Sequence, residues 1–578
     1  MEYIDARRLT GPSLLWNRPG SILDVRCNDE EAAKLIPFWE KNIRCMLKAI
    51  GWEGESTRVW RLSEGVSLAF SAPLDALYAA SAINEWAWAC CDHEFNRADA
   101  PDFDDTVEEI CAGIAEEANP ELMALERSAG EYGVSFLSDD DEVSVGLAGG
   151  SMTWPVRQIP NPDDISWELL HDIPVGLITG TNGKTTTVRL ATHIARAAGR
   201  NVGLSSTDWI AVNDRIIDRG DWSGPGGARN VLRQRDVDLA ILETARGGLL
   251  RRGLGVTKAD AALITNVAED HLGDFGSQTL QELLDVKWIV SRAVEEAGSL
   301  ILNADDELLA GKAADFKGKI VWFSLDVDNP VIRKHLAEGG LAFVLNGSEL
   351  LRLEGAESES ICQAADIPIT LDGAAGHNIT NSLAAGGLTY CLGIPVPEIR
   401  EGLMSMSQYE NPGRCNVFAI SDFKVLVDFA HNPHAMDALF DMARALPAKR
   451  RLLAFAQAGD RTDSQIRELA QSAWSIGLDA VIVSELEAYA RGRSQGEVFG
   501  IIHDELINCG AREEQIRHFI EETESLDAAL DWAQHGDLII MLALSQRDEI
   551  QEKLESLQFS PRRSSNGSIS GGRPRKFR

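Results

Sequence analysis

The sequence predicts an α/β protein: a phosphate-loop-type, doubly wound parallel central domain, followed by a Rossmann-like α/β C-terminal domain and preceded by a mixed α+β N-terminal domain. Two observations carry this reading. From residue 172 onward, short Val/Ile/Leu runs alternate with stretches of helical periodicity, over 237–242, 261–267, 300–302 and 320–323 and again, from about residue 412, over 425–427, 452–456, 480–483 and 538–542. Continuous apolar runs of that length suit strands buried on both faces, and helices between them supply the crossovers that parallel strands need. The second observation is one glycine-rich turn placed between such a strand and a helix.

That turn is Gly180-Thr181-Asn182-Gly183-Lys184-Thr185-Thr186-Thr187, after the apolar run Val175-Gly176-Leu177-Ile178-Thr179. Glycines let backbone N–H groups curl around phosphate oxygens, and the dipole of a helix N-terminus favours negative charge. In such a cradle Lys184 would neutralise the outer phosphates and the Thr185 hydroxyl would ligate Mg²⁺. Val188, Ala191, Ile194, Ala195 and Ala198 share one helix face, and Gly199 supplies a stop. Where the longer form of the motif has its first glycine, position 178 is Ile, so the loop is a shorter variant.

Residues 1–165 are expected to form the N-terminal domain, rich in Trp and Ala, with a helix over 75–89 and an acidic turn at Ser138-Asp139-Asp140-Asp141-Glu142. The segment Ile159-Pro160-Asn161-Pro162-Asp163-Asp164 reads as a linker. The central domain is expected over 172–408 and the C-terminal one over 409–557. The basic, Ser/Gly/Pro/Arg-rich stretch 558–578 is expected to be disordered.

With 55 basic and 89 acidic residues the net charge is −34, a surface that repels nucleic acid and anionic membranes. No run of about twenty apolar residues is present, and the N-terminus lacks an apolar signal core. Nine cysteines without a Cys-x-x-Cys pair suggest neither a disulfide framework nor a zinc knuckle, so a reducing cytoplasm is the expected compartment. Cys91-Asp92-His93-Glu94 lacks a second ligand pair at metal-site spacing and is not read as a metal site.

Polar residues follow the predicted strands where open α/β sheets bind ligands: Glu243-Thr244-Ala245-Arg246-Gly247-Gly248 after one, Thr265-Asn266-Val267-Ala268-Glu269-Asp270-His271 after the next. A carboxylate and a histidine beside a phosphate loop are natural partners for Mg²⁺. Taken alone, His271 also reads as a structural histidine and Asp428 as a turn cap.

In order along the chain, Gly-Thr-Asn-Gly-Lys-Thr, Glu243, Asn266 with Asp270-His271, Gly376-His377-Asn378-Ile379-Thr380-Asn381, Pro412-Gly413-Arg414, Asp428-Phe429-Ala430-His431-Asn432-Pro433 and Gly459-Asp460-Arg461 resemble the ordered motifs of Mur ligases. The wording around Glu243–Arg251 and Gly220-Asp-Trp-Ser-Gly-Pro225 is most similar to the Mur-like module of cyanophycin synthetases, over about residues 172–545. The N-terminal domain resembles theirs only weakly, with Glu85-Trp86 where those enzymes often have Glu-His.

The resemblance implies an ATP-dependent carboxylate–amine ligase working through an acyl phosphate. By it Gly180, Thr181, Asn182, Gly183, Lys184, Thr185, Thr186 and Asn266 would bind ATP; Thr185 and Glu243 would hold one Mg²⁺ and His271 would help hold a second. Asn378 and Asn381 would lie near the adenine, Asp428 at the ribose, His431 near the nucleotide, and Arg414 would reach the phosphates, with the last domain closing over the central one. Lys287 stands where many Mur ligases carry a carbamylated lysine; a solvated helix lysine is the equal alternative. Arg246, Arg251, Asp221 and Ser223 could contact substrate or form structural ion pairs. Arg491-Gly492-Arg493 reads as a solvated loop.

The leading substrates are an aspartate-containing or other peptide-like acceptor and an amino acid such as arginine or lysine. Ligation on a nucleotide-sugar peptide, glutamate addition to a small cofactor, and a non-catalytic nucleotide-binding scaffold are the alternatives. A free-standing ligase is expected, because no ATP-grasp module stands between residue 165 and the Mur-like start. The resemblance leaves a dimer or tetramer open.

Overall fold

The computed structural model describes residues 1–99, 101–270, 278–459 and 461–559. Two compact units form: residues 1–410 with 432–438, and residues 411–431 with the chain from 439 onward.

In the first unit an eleven-stranded sheet runs in the order Arg215–Arg219, Trp209–Val212, Val202–Ser205, Leu239–Glu243, Val175–Thr179, Ala259–Ile264, Val294–Asn303, Lys319–Ser324, Leu341–Asn346, Glu349–Glu354, Glu357–Gln363. The seven strands from Val202–Ser205 to Leu341–Asn346 are parallel, and the outer pairs on both sides are antiparallel. Alternation along each strand divides the core between two faces. Leu177, Ala240 and Ile264 pack with the helices Pro225–Leu232 and Leu280–Lys287. Ile178, Ile241 and Leu263 pack with Lys184–Ala197 and Gly376–Cys391.

The chain leaves the central strand Val175–Thr179 to build one side of the sheet and then returns to build the other, so the turn after Thr179 sits where the strand order reverses. Open α/β sheets bind ligands at that crevice, outside the carboxyl ends of the strands.

Residues before the central sheet form an antiparallel sheet, Glu2–Leu9, Gly20–Arg26, Gly65–Ser71, Thr57–Leu62, covered by Asp29–Ala49 and Leu77–Asn96, and a three-stranded sheet of Phe136–Ser138, Glu142–Val145 and Met152–Pro155. The helix predicted over 75–89 begins later, at Leu77 after a 3₁₀ turn, and runs on to Asn96. The Arg8 guanidinium holds Asp140 bidentately at 2.7 and 3.1 Å. Arg233 grips Asp139 at 2.6 Å, so the acidic turn is an ion-pairing element that joins this region to the central helices.

The second unit carries a six-stranded sheet in the order Asn416–Ile420, Phe423–Asp428, Leu538–Leu542, Arg451–Phe455, Ala480–Ser484, Ile516–Phe519, parallel apart from its first strand. Residues 560–578, whose disorder was expected, lie outside the described residues.

Candidate functional site

Parallel register brings three strand ends level. Glu243 pairs with Ile178, and Ile264 with Thr179, so Glu243, Gly180 and Thr265 emerge side by side. The strand predicted over 237–242 runs Leu239–Glu243, which makes Glu243 its last residue and anchors the carboxylate in the sheet.

Gly180 has φ +147° and Gly183 φ +83°, backbone that side chains rarely adopt. A Cβ on Gly180 would stand 1.8 Å from Thr265 Oγ1, and one on Gly183 would stand 2.3 Å from Asn381 Oδ1. The loop is therefore pressed between two polar side chains and admits only glycine at both points. It is also stitched to the next strand's exit: Thr265 Oγ1 donates to the Asn182 carbonyl at 2.6 Å, Asn182 N donates to Asn266 Oδ1 at 3.0 Å, and Ala268 N donates to Thr181 Oγ1 at 3.0 Å. Gly180→Ala is expected to lower unfolding free energy by about 1–3 kcal/mol and to weaken nucleotide binding; denaturant titration and nucleotide titration measure both.

The helix Lys184–Ala197 opens directly on this loop, with Gly183 as its N-cap and no side-chain cap, which leaves the N-terminal backbone donors open to a ligand. Its last turn closes as the sequence predicts, with Gly199 at φ +79°. Lys184 Nζ donates to the Thr181 carbonyl at 2.9 Å and so lies folded along the loop. Thr185 and Thr186 are buried in the first turn.

Glu243 is 2% exposed, and its carboxylate accepts from Thr207 Oγ1 at 2.7 Å and Thr207 N at 3.3 Å. The sequence motifs do not include Thr207, and Thr265 stands in them only as the first residue after its strand. Both follow strands at the sheet's carboxyl edge, which is the signal that finds them. Thr185 and Glu243 each carry oxygen donors, the ligand type that Mg²⁺ takes. Among the described residues no group of three or more His, Cys, Asp or Glu could hold a metal by themselves. His271 lies outside the described residues.

Asn378 and Asn381 are buried. Asn378 donates to the Ile369 carbonyl at 2.8 Å and accepts from Asn381 at 3.2 Å, while Thr187 Oγ1 donates to Asn381 at 3.4 Å. The pair thus backs the phosphate loop from the neighbouring helix. Lys287 is 4% exposed, which removes the solvated reading. Burial pushes its amine well below the ordinary lysine range, and the positive charges of Lys184 and Arg246 push the same way against Asp270. Lys184, Arg246 and Lys287 accordingly share one electrostatic neighbourhood. Asp221 accepts from Ser223 N and Oγ at 3.1 and 2.6 Å, a turn leading into the helix Pro225–Leu232.

In the second unit, Asp428 accepts from Cys415 N at 2.8 Å and Ala430 N at 2.7 Å, so it organises the strand-exit turn. Arg414 lies over the Phe429 ring at 4.5 Å, and its buried Nε has no hydrogen-bond partner among the described residues. His431 Nδ1 lies 3.0 Å from the Phe429 carbonyl. Arg493 is structural, donating to the Gly459 and Arg461 carbonyls at 3.0 and 2.8 Å.

Fold and strand-exit geometry define an α/β protein with a phosphate loop at its topological switch point. Residues 178–389 match the Mur ligase middle domain and residues 413–543 the Mur ligase glutamate ligase domain, together more than half of the chain, and the protein belongs to the Mur ligase family. Cyanophycin synthetase from a Synechocystis strain is 38% identical over 383 residues, 66% of this chain and 43% of that protein. The UDP-N-acetylmuramoyl-L-alanyl-D-glutamate–2,6-diaminopimelate ligase of Clostridium perfringens is 26% identical over 406 residues, 67% of this chain and 76% of that protein. The solved structure of E. coli FolC in complex with DHPP and ADP aligns with a TM-score of 0.49 at 19% identity, covering 66% of this chain and 89% of that one. The chain spans less than half the length of the cyanophycin synthetases it matches. No described helix is long and apolar enough to cross a membrane.

Proposed function

We propose that the protein is an ATP-dependent, ADP-forming ligase that joins a carboxylate to an amine through an acyl phosphate, with an aspartate-containing or other peptide-like acceptor and an amino acid as its substrates. The observation that carries the reading is the glycine cradle: two positive-φ glycines closed from behind by Thr265 and Asn381 and opening onto an uncapped helix N-terminus. The family membership and the cyanophycin synthetase likeness support the same chemistry.

In this reading the loop N–H groups and Lys184 bind the triphosphate and hold its terminal phosphorus against the substrate carboxylate, offsetting the repulsion between two anions. Lys184 exchanges the Thr181 carbonyl for a phosphate oxygen. Thr185 and Glu243 would hold Mg²⁺, which when bound would supply positive charge to screen the phosphoryl group. Thr207 keeps the Glu243 carboxylate oriented, as hydrogen bonds behind a ligand do. In the second unit we assign Asp428 to ribose hydroxyls, His431 to the nucleotide and Arg414 to phosphate.

Phosphate release measured with a panel of amino acids and aspartyl peptides tests the proposal. Turnover that needs both an acid and an amine supports it; nucleotide binding without substrate-dependent ADP would favour a scaffold and sink it. Glu243→Ala is expected to raise the Mg²⁺ concentration for half-maximal activity by about 10–100-fold and, by leaving the Thr207 donors without their partner, to lower stability by about 1–3 kcal/mol, both read by titration and calorimetry.

A further inference from the structure

The helix Leu280–Lys287 begins with a capping box, in which Thr279 Oγ1 receives Glu282 N and the Glu282 carboxylate receives Thr279 N at 2.9 Å. That carboxylate does more than cap. Gln278 N donates to it at 2.7 Å, and Ser63 N, from the two-residue turn joining Thr57–Leu62 to Gly65–Ser71, donates at 2.7 Å, with Ser63 Oγ at 3.3 Å. Glu64, the other residue of that turn, accepts from Gln278 Nε2 at 3.1 Å. Burial pushes the Glu282 carboxyl up, but the backbone donors of Ser63, Gln278 and Thr279 outweigh it and hold it below the ordinary range, so it is an anion at neutral pH.

Five residues beyond Glu282, the same short helix delivers Lys287 into the charge cluster with Lys184. Just past Lys287, Arg292 donates to the Leu14 carbonyl at 3.1 Å, a second tie to the N-terminal region. The segment bearing Lys287 is therefore held at both ends by residues that precede the central sheet.

We infer that the Ser63-Glu64 turn of the N-terminal sheet, acting through Glu282, positions the helix that places Lys287, and that Glu282 is a positioning residue for the reaction. The inference rests on the proposed ligase function and on the place of Lys287 in its working site, which the family resemblance implies. An eight-residue helix has little rigidity of its own, so its placement comes from its ties, and a displacement near 1 Å at a reacting centre costs on the order of 100-fold in rate. The N-terminal region thereby has a part in the chemistry without contributing a catalytic residue.

Glu282→Gln keeps the shape but turns an amide NH₂ toward N–H donors in either orientation, Ser63 N on one side or Gln278 N and Thr279 N on the other. Assayed in the full-length protein, it is expected to lower kcat about 10–100-fold, with the ATP KM changed less than about twofold and Glu282→Asp restoring part of the rate. Gln278→Ala, which removes only the Glu64 contact, is expected to lower kcat about threefold at unchanged KM, and it decides the matter if Glu282→Gln does not fold. Wild-type kcat in these variants, or losses that track the melting temperature and are not restored by Glu282→Asp, would overturn the inference. Lys287→Met separates the two readings: wild-type turnover in that variant would overturn the assignment of Lys287 itself, whereas an inactive Lys287→Met beside a fully active Glu282→Gln overturns only the positioning role.

Discussion

Lys184→Ala should lower kcat by about 10²–10³-fold or more, with wild-type folding and a much smaller change in circular dichroism. The side chain sits at the first position of its helix, partly buried, and among the described residues it donates to the Thr181 carbonyl. Removing it leaves no buried partner stranded, so the loss falls on phosphate charge stabilisation. Single-turnover phosphate release would show it. Near-wild-type rates would mean that the triphosphate is held elsewhere and would remove the basis of the ligase assignment.

The second large effect is expected at Lys287. Lys287→Arg keeps a permanent cation where the structure favours a neutral amine, and should reduce turnover about as severely as Lys184→Ala. A neutral lysine can take up CO₂ and become a carbamate anion; an arginine cannot. Incubation with ¹³C-bicarbonate is expected to give a carbamate resonance in the wild type and none in Lys287→Arg. A silent wild type would assign Lys287 a role as the amine itself.

The same residue sets a pH dependence. Its folded-state pKa lies well below the unfolded value of 10.5, so between the two the unfolded chain binds one proton more than the folded one. Stability contributed through Lys287 therefore rises with pH across that window and reaches a constant minimum below it. In CO₂-free buffer the melting temperature should climb from neutral toward alkaline pH more steeply in the wild type than in Lys287→Met, which carries no titrating group.

Much of the architecture was legible because parallel strands buried on both faces leave continuous apolar runs. The run predicted over 538–542 is the strand Leu538–Leu542, and 237–242 differs from Leu239–Glu243 by two positions at its start. The phosphate loop was legible for a different reason: glycine at 180 and 183 answers a local backbone demand that spacing reveals. Less of the N-terminal region was readable. Its helix over 77–96 starts with a 3₁₀ turn that periodicity does not announce.

Sequence by itself determined the alternating α/β order, the glycine turn and the family motifs, since each depends on residues close together in the chain. Tertiary structure alone decided that Thr207 grips Glu243 and that Asn381 backs Gly183. It alone decided that Lys287 is buried among like charges and that a turn near residue 63 holds the helix that carries it. Those contacts join positions 36 to 219 residues apart, and charge, burial and hydrogen bonding at such separations exist only once the strands have fixed the register that brings them together.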